Sequence, residues 1–188
     1  VHWDNFVGVP AGFADGVDDI EFENTIPVAK SGGQFTVIQA AIDSISDAAD
    51  DNPYLVWIAP GVYKEAVTLK PHVHLQGAGR GVTIISSTVG NPSSTITEAT
   101  LVLDSDVSVR DLTVVNQGTD HSNVAVKVPT GSTEVLLEAV ELVAQGSGVE
   151  SYGLVLQGSG LEVFARCVDA MAEGGASNVA VSNVGDST

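Results

Sequence analysis

The chain has 188 residues, 44% of them hydrophobic and 5% aromatic, enough to bury a substantial core as one domain. Its 24 Asp and Glu against 7 Lys and Arg give a net charge of −17, which argues against nucleic acid or an anionic membrane, since both call for cations on the protein. A single cysteine, Cys167, excludes an intrachain disulfide, and no apolar run reaches the roughly 18 residues of a transmembrane helix.

Residues 1–31 read as an extended, acidic N-terminal arm. They show neither helical nor strand periodicity, yet carry Trp3, Phe6, Phe13 and Phe22, so the arm is expected to pack on its own domain or on a neighbouring subunit. The chain starts at Val1 without a signal peptide and is expected to be a segment of a longer protein. Between residues 36 and 50, Ile38, Ala41, Ile42, Ile45, Ala48 and Ala49 recur at three- and four-residue spacing. Asp43, Asp47 and Asp50 fall on the other side, so the spacing predicts one amphipathic helix, ended by Asn52-Pro53.

Everything after Pro53 is strand-like: short runs of Val, Ile, Leu and Thr broken by Gly, Ser, Asn and Asp. An internal repeat organises it. Asp106-Val-Ser-Val-Arg-Asp-Leu-Thr-Val, Glu134-Val-Leu-Leu-Glu-Ala-Val-Glu-Leu and Glu162-Val-Phe-Ala-Arg-Cys-Val-Asp-Ala open three units, 106–133, 134–161 and 162–188. Ser-Asn-Val-Ala-Val occurs at 122–126 and again at 177–181, a separation of 55, or 28 plus 27. A unit of 28 residues is too short for a propeller blade of about 40 and fits one coil of a parallel β-helix. Within each unit the alternation of inward residues breaks parity once, at Arg110-Asp111 and its equivalents, which marks a bend between two strands. Gly118, Gly146 and Gly174 fall at a common turn. Stacking then predicts two ladders: Arg110, Glu138, Arg166, alternating in charge, and Thr113, Glu141, Asp169, with two acids adjacent.

From residue 32 onward the chain resembles the pectin methylesterase and pectate lyase-like family of right-handed parallel β-helices. The likeness lies in Gly33-Gln-Phe-Thr-Val-Ile-Gln-Ala-Ala-Ile-Asp43, Val56-Trp-Ile-Ala-Pro-Gly-Val-Tyr-Lys-Glu-Ala-Val67, Leu75-Gln-Gly-Ala-Gly-Arg-Gly-Val-Thr-Ile-Ile85 and Arg110-Asp-Leu-Thr-Val-Val-Asn116. The resemblance implies an all-β solenoid over 32–188, with residues 36–50 as an amphipathic helix capping its first coil. Esterase chemistry does not carry over residue by residue. The strand bearing the family's glutamine and basic residue is similar to Asn123-Val-Ala-Val-Lys127, and its two aspartates fall on Gly146 and Gly174, one position after Gln145 and Glu173. Glycine can neither donate a proton nor attack a carbonyl. The family's substrate-binding arginine has no matching position before Thr188.

The arm, through Trp3-Asp-Asn-Phe-Val-Gly-Val-Pro-Ala-Gly-Phe-Ala-Asp-Gly-Val-Asp18, resembles a segment of phage tail-fibre-like surface proteins, which are often trimeric. Together these resemblances imply an extracellular structural or carbohydrate-binding β-helix of a fibre- or tail-like surface protein, without esterase activity. The expected partner is a polysaccharide or cell-surface glycan, the expected assembly a homotrimer, and the expected location the cell or virion surface. The alternative is a polysaccharide-active enzyme, a lyase or a glycoside hydrolase. Its catalytic pair is Glu141 and Asp169, whose spacing of about 5 Å suits a retaining glycosidase, and its substrate-binding residues are Asn123, Lys127, Gln145 and Arg166. No metal site is assigned, and Ca²⁺ is the one cofactor the acids could take. His72 and His74 lack a third ligand, Gly77–Gly81 and Gln157–Gly160 read as turns, and Cys167 is expected to be packed at a bend.

Overall fold

A computed structural model describes residues 24–184. Its elements in chain order are β1 (Asn24–Val28), α1 (Ile38–Ser44), β2 (Tyr54–Ile58), β3 (Gly61–Lys64), β4 (Val67–Thr68), β5 (Val73–Gln76), β6 (Thr83–Ser87) and β7 (Leu101–Val102). They continue as β8 (Val107–Asn116), β9 (Ser122–Val128), β10 (Val135–Ala144), β11 (Glu150–Gln157), β12 (Val163–Arg166), β13 (Asp169–Ala172) and β14 (Ser177–Val184). All the ladders between these strands are parallel, and they wind into a β-solenoid of about six turns. The larger sheet runs β1-β2-β5-β8-β10-β12, with β3 beside β6, β6 beside β8 and β13 beside β10; the smaller runs β14-β11-β9-β7-β4.

The register carries the repeat residue for residue. Val107, Val135 and Val163 pair across three coils, as do Thr113, Glu141 and Asp169, and Arg110, Glu138 and Arg166. On the smaller sheet Ser122 pairs with Glu150 and Glu150 with Ser177, so the two Ser-Asn-Val-Ala-Val copies lie two rungs apart. The parity break is a backbone feature: Asp111, Ala139 and Cys167 have φ of 54°, 51° and 51°. A left-handed residue with a β-carbon costs about 1–2 kcal/mol. The bend is held because neighbouring rungs continue on both sides of it.

The core fills the space between the sheets with Val56, Ile58, Leu75, Ile85, Leu101, Val109, Leu112, Val114, Leu137, Val140 and Leu142, all fully buried. Burial of such side chains contributes about 1.5–3 kcal/mol each. In the third unit the equivalents Val163, Val168 and Ala170 are only partly buried and Ala165 is exposed, since no further coil covers them in the described residues.

Three expectations change. The helix occupies Ile38–Ser44, not 36–50; Ile38, Ala41 and Ile42 cover the first coil, and Ile45 is already extended. The Lys70 ammonium ends it by donating to the carbonyls of Ile42, Asp43 and Ile45. At its start Val37 gives no side-chain cap, and the Glu65 carboxylate accepts from the Ile38 and Gln39 amides instead, at 3.0 and 2.9 Å. Residues 24–28, placed in the arm, form β1 and pair with β2, where Pro27 is tolerated because β1 is an edge strand; residues 1–23 lie outside the described residues. Cys167 is exposed rather than packed, because its bend belongs to the last coil.

Candidate active site on the smaller sheet

The expected acid pair forms, but each acid is engaged. Glu141 Oε2 accepts from the Thr113 hydroxyl at 2.9 Å, and Asp169 pairs with Arg80, a residue of the Gly77–Gly81 turn. Arg110 pairs with Glu138 at 3.5 Å, and Arg166, exposed, is next to Glu138 in register. Gln145 is exposed in the turn after β10. Asn123 is fully buried, with neither its amide nitrogen nor its oxygen bonded among the described residues. Lys127 is 9% exposed, and its ammonium donates to the Thr97 carbonyl at 2.9 Å. Both are enclosed, Asn123 among turn glycines and Lys127 under the segment 88–100. His74 bonds Ser108 rather than joining His72 as a chelate, and no three His, Cys, Asp or Glu among the described residues converge as metal ligands.

The chemistry-bearing cluster lies elsewhere, where the turns from the larger sheet deliver the chain onto β9 and β11. Asn116 shapes the first turn: its amide oxygen accepts from Gly118 N, and its amide nitrogen donates to the carbonyls of Val89 and Val124. That turn presents His121, whose carbonyl accepts from both Val149 N and Glu150 N, at 2.9 and 2.8 Å, and so locks the coil above in register. Ser122 and Glu150 therefore sit side by side. The Ser122 hydroxyl lies 2.9 Å from Glu150 Oε2 and 3.0 Å from the Ser93 carbonyl, and His121 Nε2 is 3.9 Å from the same carboxylate oxygen. Ser122 is fully buried, whereas the Glu150 and His121 side chains keep 24% and 36% of their surface. Serine is thus the positioner, and the carboxylate and imidazole are the groups a substrate can reach.

One wall of this site is the segment 88–100. Asn91 clamps it: its amide oxygen accepts from Thr97 N and Glu98 N, its amide nitrogen donates to Glu98 O and Ser122 O, and its backbone exchanges two bonds with Ser122. Ile96 and Ala99 then pack on Val124 and Val155, with Tyr152 against them, as a small apolar cluster separate from the main core. A groove of about 350 Å³ reaches the first residue of the 117–121 turn, lined by Lys64, Glu65, Ser86–Val89 and Gln117.

Burial raises the pKa of Tyr152, with the nearby Glu150 charge and hydrogen bond adding to it. Tyr63 is raised by burial and then by Glu65, and Tyr54 chiefly by its hydrogen bond to Asp47. These are all three tyrosines of the chain. Phenolate absorbance is therefore expected to appear at higher pH in the folded protein than in urea. The unfolded chain ionises first, near pH 10, so the stabilisation these phenols contribute is complete below that value and is lost as pH rises through the folded pKa values. Lys127 works in the opposite sense. Burial lowers its pKa, the folded chain releases its proton first, and stability gains between that lowered value and the ordinary one near 10.5.

The molecule is thus a parallel β-solenoid with a carboxylate, an imidazole and a buried hydroxyl gathered where β9 and β11 begin. The chain belongs to the pectinesterase family, whose sequence profile matches residues 25–147. Among curated proteins none matches by sequence. Solved structures with the same fold include the pectin methylesterase PemA from Erwinia chrysanthemi (22% identity, TM-score 0.54, covering 73% of this chain and 49% of that one). The carrot pectin methylesterase is similar (19%, 0.53, 74% and 52%), as is a pectin methylesterase mutant in complex with a hexasaccharide (21%, 0.56, 73% and 49%). The chain spans about half the length of these structures.

The family match overturns two expectations, a fibre- or tail-like role without esterase activity and, as its alternative, a lyase or glycosidase. The fibre- or tail-like role rested on the arm segment Trp3–Asp18, which lies outside the described residues, and the denial of esterase activity on reading the family's aspartates onto Gly146 and Gly174. Those glycines lie in the turns between the sheets, and the register places a carboxylate, Glu150, just past the first of them at the start of β11. The repeat itself held the signal, since Glu150 is 28 residues beyond Ser122.

Proposed function

We propose that this chain carries a carbohydrate esterase site of the pectinesterase type, with Glu150 as its reacting carboxylate. The observation that supports the reading most is the convergence of Ser122 and His121 on Glu150 Oε2, on a scaffold belonging to that family. Glu150, held by the Ser122 hydroxyl, takes a proton from the water that attacks the ester carbonyl. His121 gives a proton to the departing alcohol, so ester and water become acid and alcohol. The 3.9 Å separation suits a bridging water, and catalytic contacts of this kind tighten when substrate binds. The substrate is a polysaccharide bearing ester groups, and an extracellular or cell-surface setting suits it. No helix among the described residues is long and apolar enough to cross a membrane.

Incubation of the chain with methyl-esterified galacturonan is expected to release methanol in step with acid. Absence of both, with the solenoid intact by circular dichroism, overturns the esterase reading.

A further inference from the structure

The location of every cation in the chain bears on which esters this site accepts. All seven Lys and Arg lie within the described residues. Lys30 covers the Tyr63 ring, Lys70 holds the end of α1, Arg80 pairs with Asp169 and Arg110 with Glu138. Lys64 and Arg166 close β3 and β12, both on the larger sheet. Lys127 alone belongs to the smaller sheet, and its ammonium is turned to the Thr97 carbonyl under the covering segment. A substrate at Glu150 therefore meets no exposed lysine or arginine on this sheet.

Apart from the His121 imidazole, whose charge when protonated is matched by the Glu150 carboxylate 3.9 Å away, what it meets is uncharged or acidic. In register, Glu150 is flanked by Ser122 on one coil and Ser177, exposed, on the next. The wall beside it presents Ser93, Ser94 and Thr95, all exposed, with the Ser93 carbonyl bonded to the Ser122 hydroxyl. Asp120, exposed, precedes His121. Hydroxyls of this kind suit sugar hydroxyls and ester oxygens. They offer no counter-charge to a polyuronate, whose carboxylates also meet a chain of net charge −17.

We infer that the Glu150 site selects uncharged stretches of esterified glycan and that each carboxylate it produces weakens the hold on that chain, so the enzyme leaves after few turnovers. The inference rests on the esterase reading for its second half; the charge selection stands on the map of lysines and arginines, with His121 matched by Glu150. Screening bounds it: at physiological ionic strength the Debye length is about 8 Å, so discrimination is strongest at low salt and fades as salt is added.

The test uses two probes, a fully methyl-esterified galacturonan oligomer and the same oligomer after alkaline de-esterification. Binding of each is measured by titration calorimetry at low and high NaCl, and methanol release is followed in parallel. The esterified oligomer is expected to bind more tightly at low salt, with the gap closing at high salt. Ser177→Lys, which sets a cation one rung from Glu150, should improve binding of the de-esterified oligomer by up to about fivefold, the range of an exposed ion pair. Equal or tighter binding of the de-esterified oligomer at low salt overturns the charge selection, whatever the turnover. Preferential binding of the esterified oligomer without methanol release leaves the selection standing and removes the esterase reading and, with it, early departure. Failure of both oligomers to bind removes both.

Discussion

Gly146→Asp, the substitution that would install the carboxylate the family resemblance leads one to look for, is expected to lower stability by about 3 kcal/mol or more and to raise activity above the parent's in no assay. Gly146 is buried in the turn between β10 and β11. A β-carbon there would overlap the side-chain amide of Asn123 from one side and the backbone carbonyl of Gly118 from the other. The first obstacle can move; the second belongs to the turn one coil below and cannot move without breaking the ladder. Overpacking of a filled site costs about 1–3 kcal/mol, and a buried carboxylate without a cation adds to it. Gly146→Ala should show the steric share alone. Asn123→Ala combined with Gly146→Ala should recover part of that loss, because the vacated amide volume takes the new methyl group while Gly118 stays in place. Urea unfolding of the three variants measures this. A Gly146→Asp protein as stable as the parent would mean that the turn is not packed as described.

The same turn shows what could be read from residues in order and what could not. The coil was legible because inward Val, Leu and Ala recur every 28 residues and the register enforces it; even the left-handed bend at Asp111, Ala139 and Cys167 was announced by the slip in alternation. The helix was drawn too long because apolar spacing continues through Ile45, Ala48 and Ala49, and nothing local marks that Lys70, some 25 residues on, takes its last carbonyls. The first strand sits in a stretch without strand periodicity; its pairing with β2 defines it, and at that sheet edge Pro27 costs no ladder bond on the open side. The site was hidden for a different reason. Its parts lie on different coils, His121 and Ser122 on one and Glu150 on the next, and the segment that buries Lys127 and Ser122 owes its path to Asn91, a residue with no chemical signature of its own. The turn glycines lie a few residues short of the strand where a carboxylate, Glu150, can face out.

Glu150→Gln is the substitution with the largest expected effect on function, a loss of about 10²–10⁴-fold in kcat, the share a positioned base contributes. At 1.36 kcal/mol per decade this corresponds to about 3–5 kcal/mol of transition-state stabilisation. The amide keeps the size of the carboxylate and an oxygen to accept from the Ser122 hydroxyl, so the fold should stand and KM should change little. What goes is the ability to take a proton from water. Two controls make the assignment specific. Glu141→Gln and Asp169→Asn remove carboxylates from the larger sheet, where Thr113 and Arg80 hold them, and both should retain near-parent methanol release. If instead these two abolish release while Glu150→Gln retains it, the reacting carboxylate lies on the other sheet and the Glu150 assignment is wrong. The Ser122→Ala variant separates positioning from chemistry. It leaves Glu150 present without the Ser122 hydroxyl but with Tyr152 still beside it, and should lower kcat by much less than Glu150→Gln, because the carboxylate still samples the reactive orientation for part of the time.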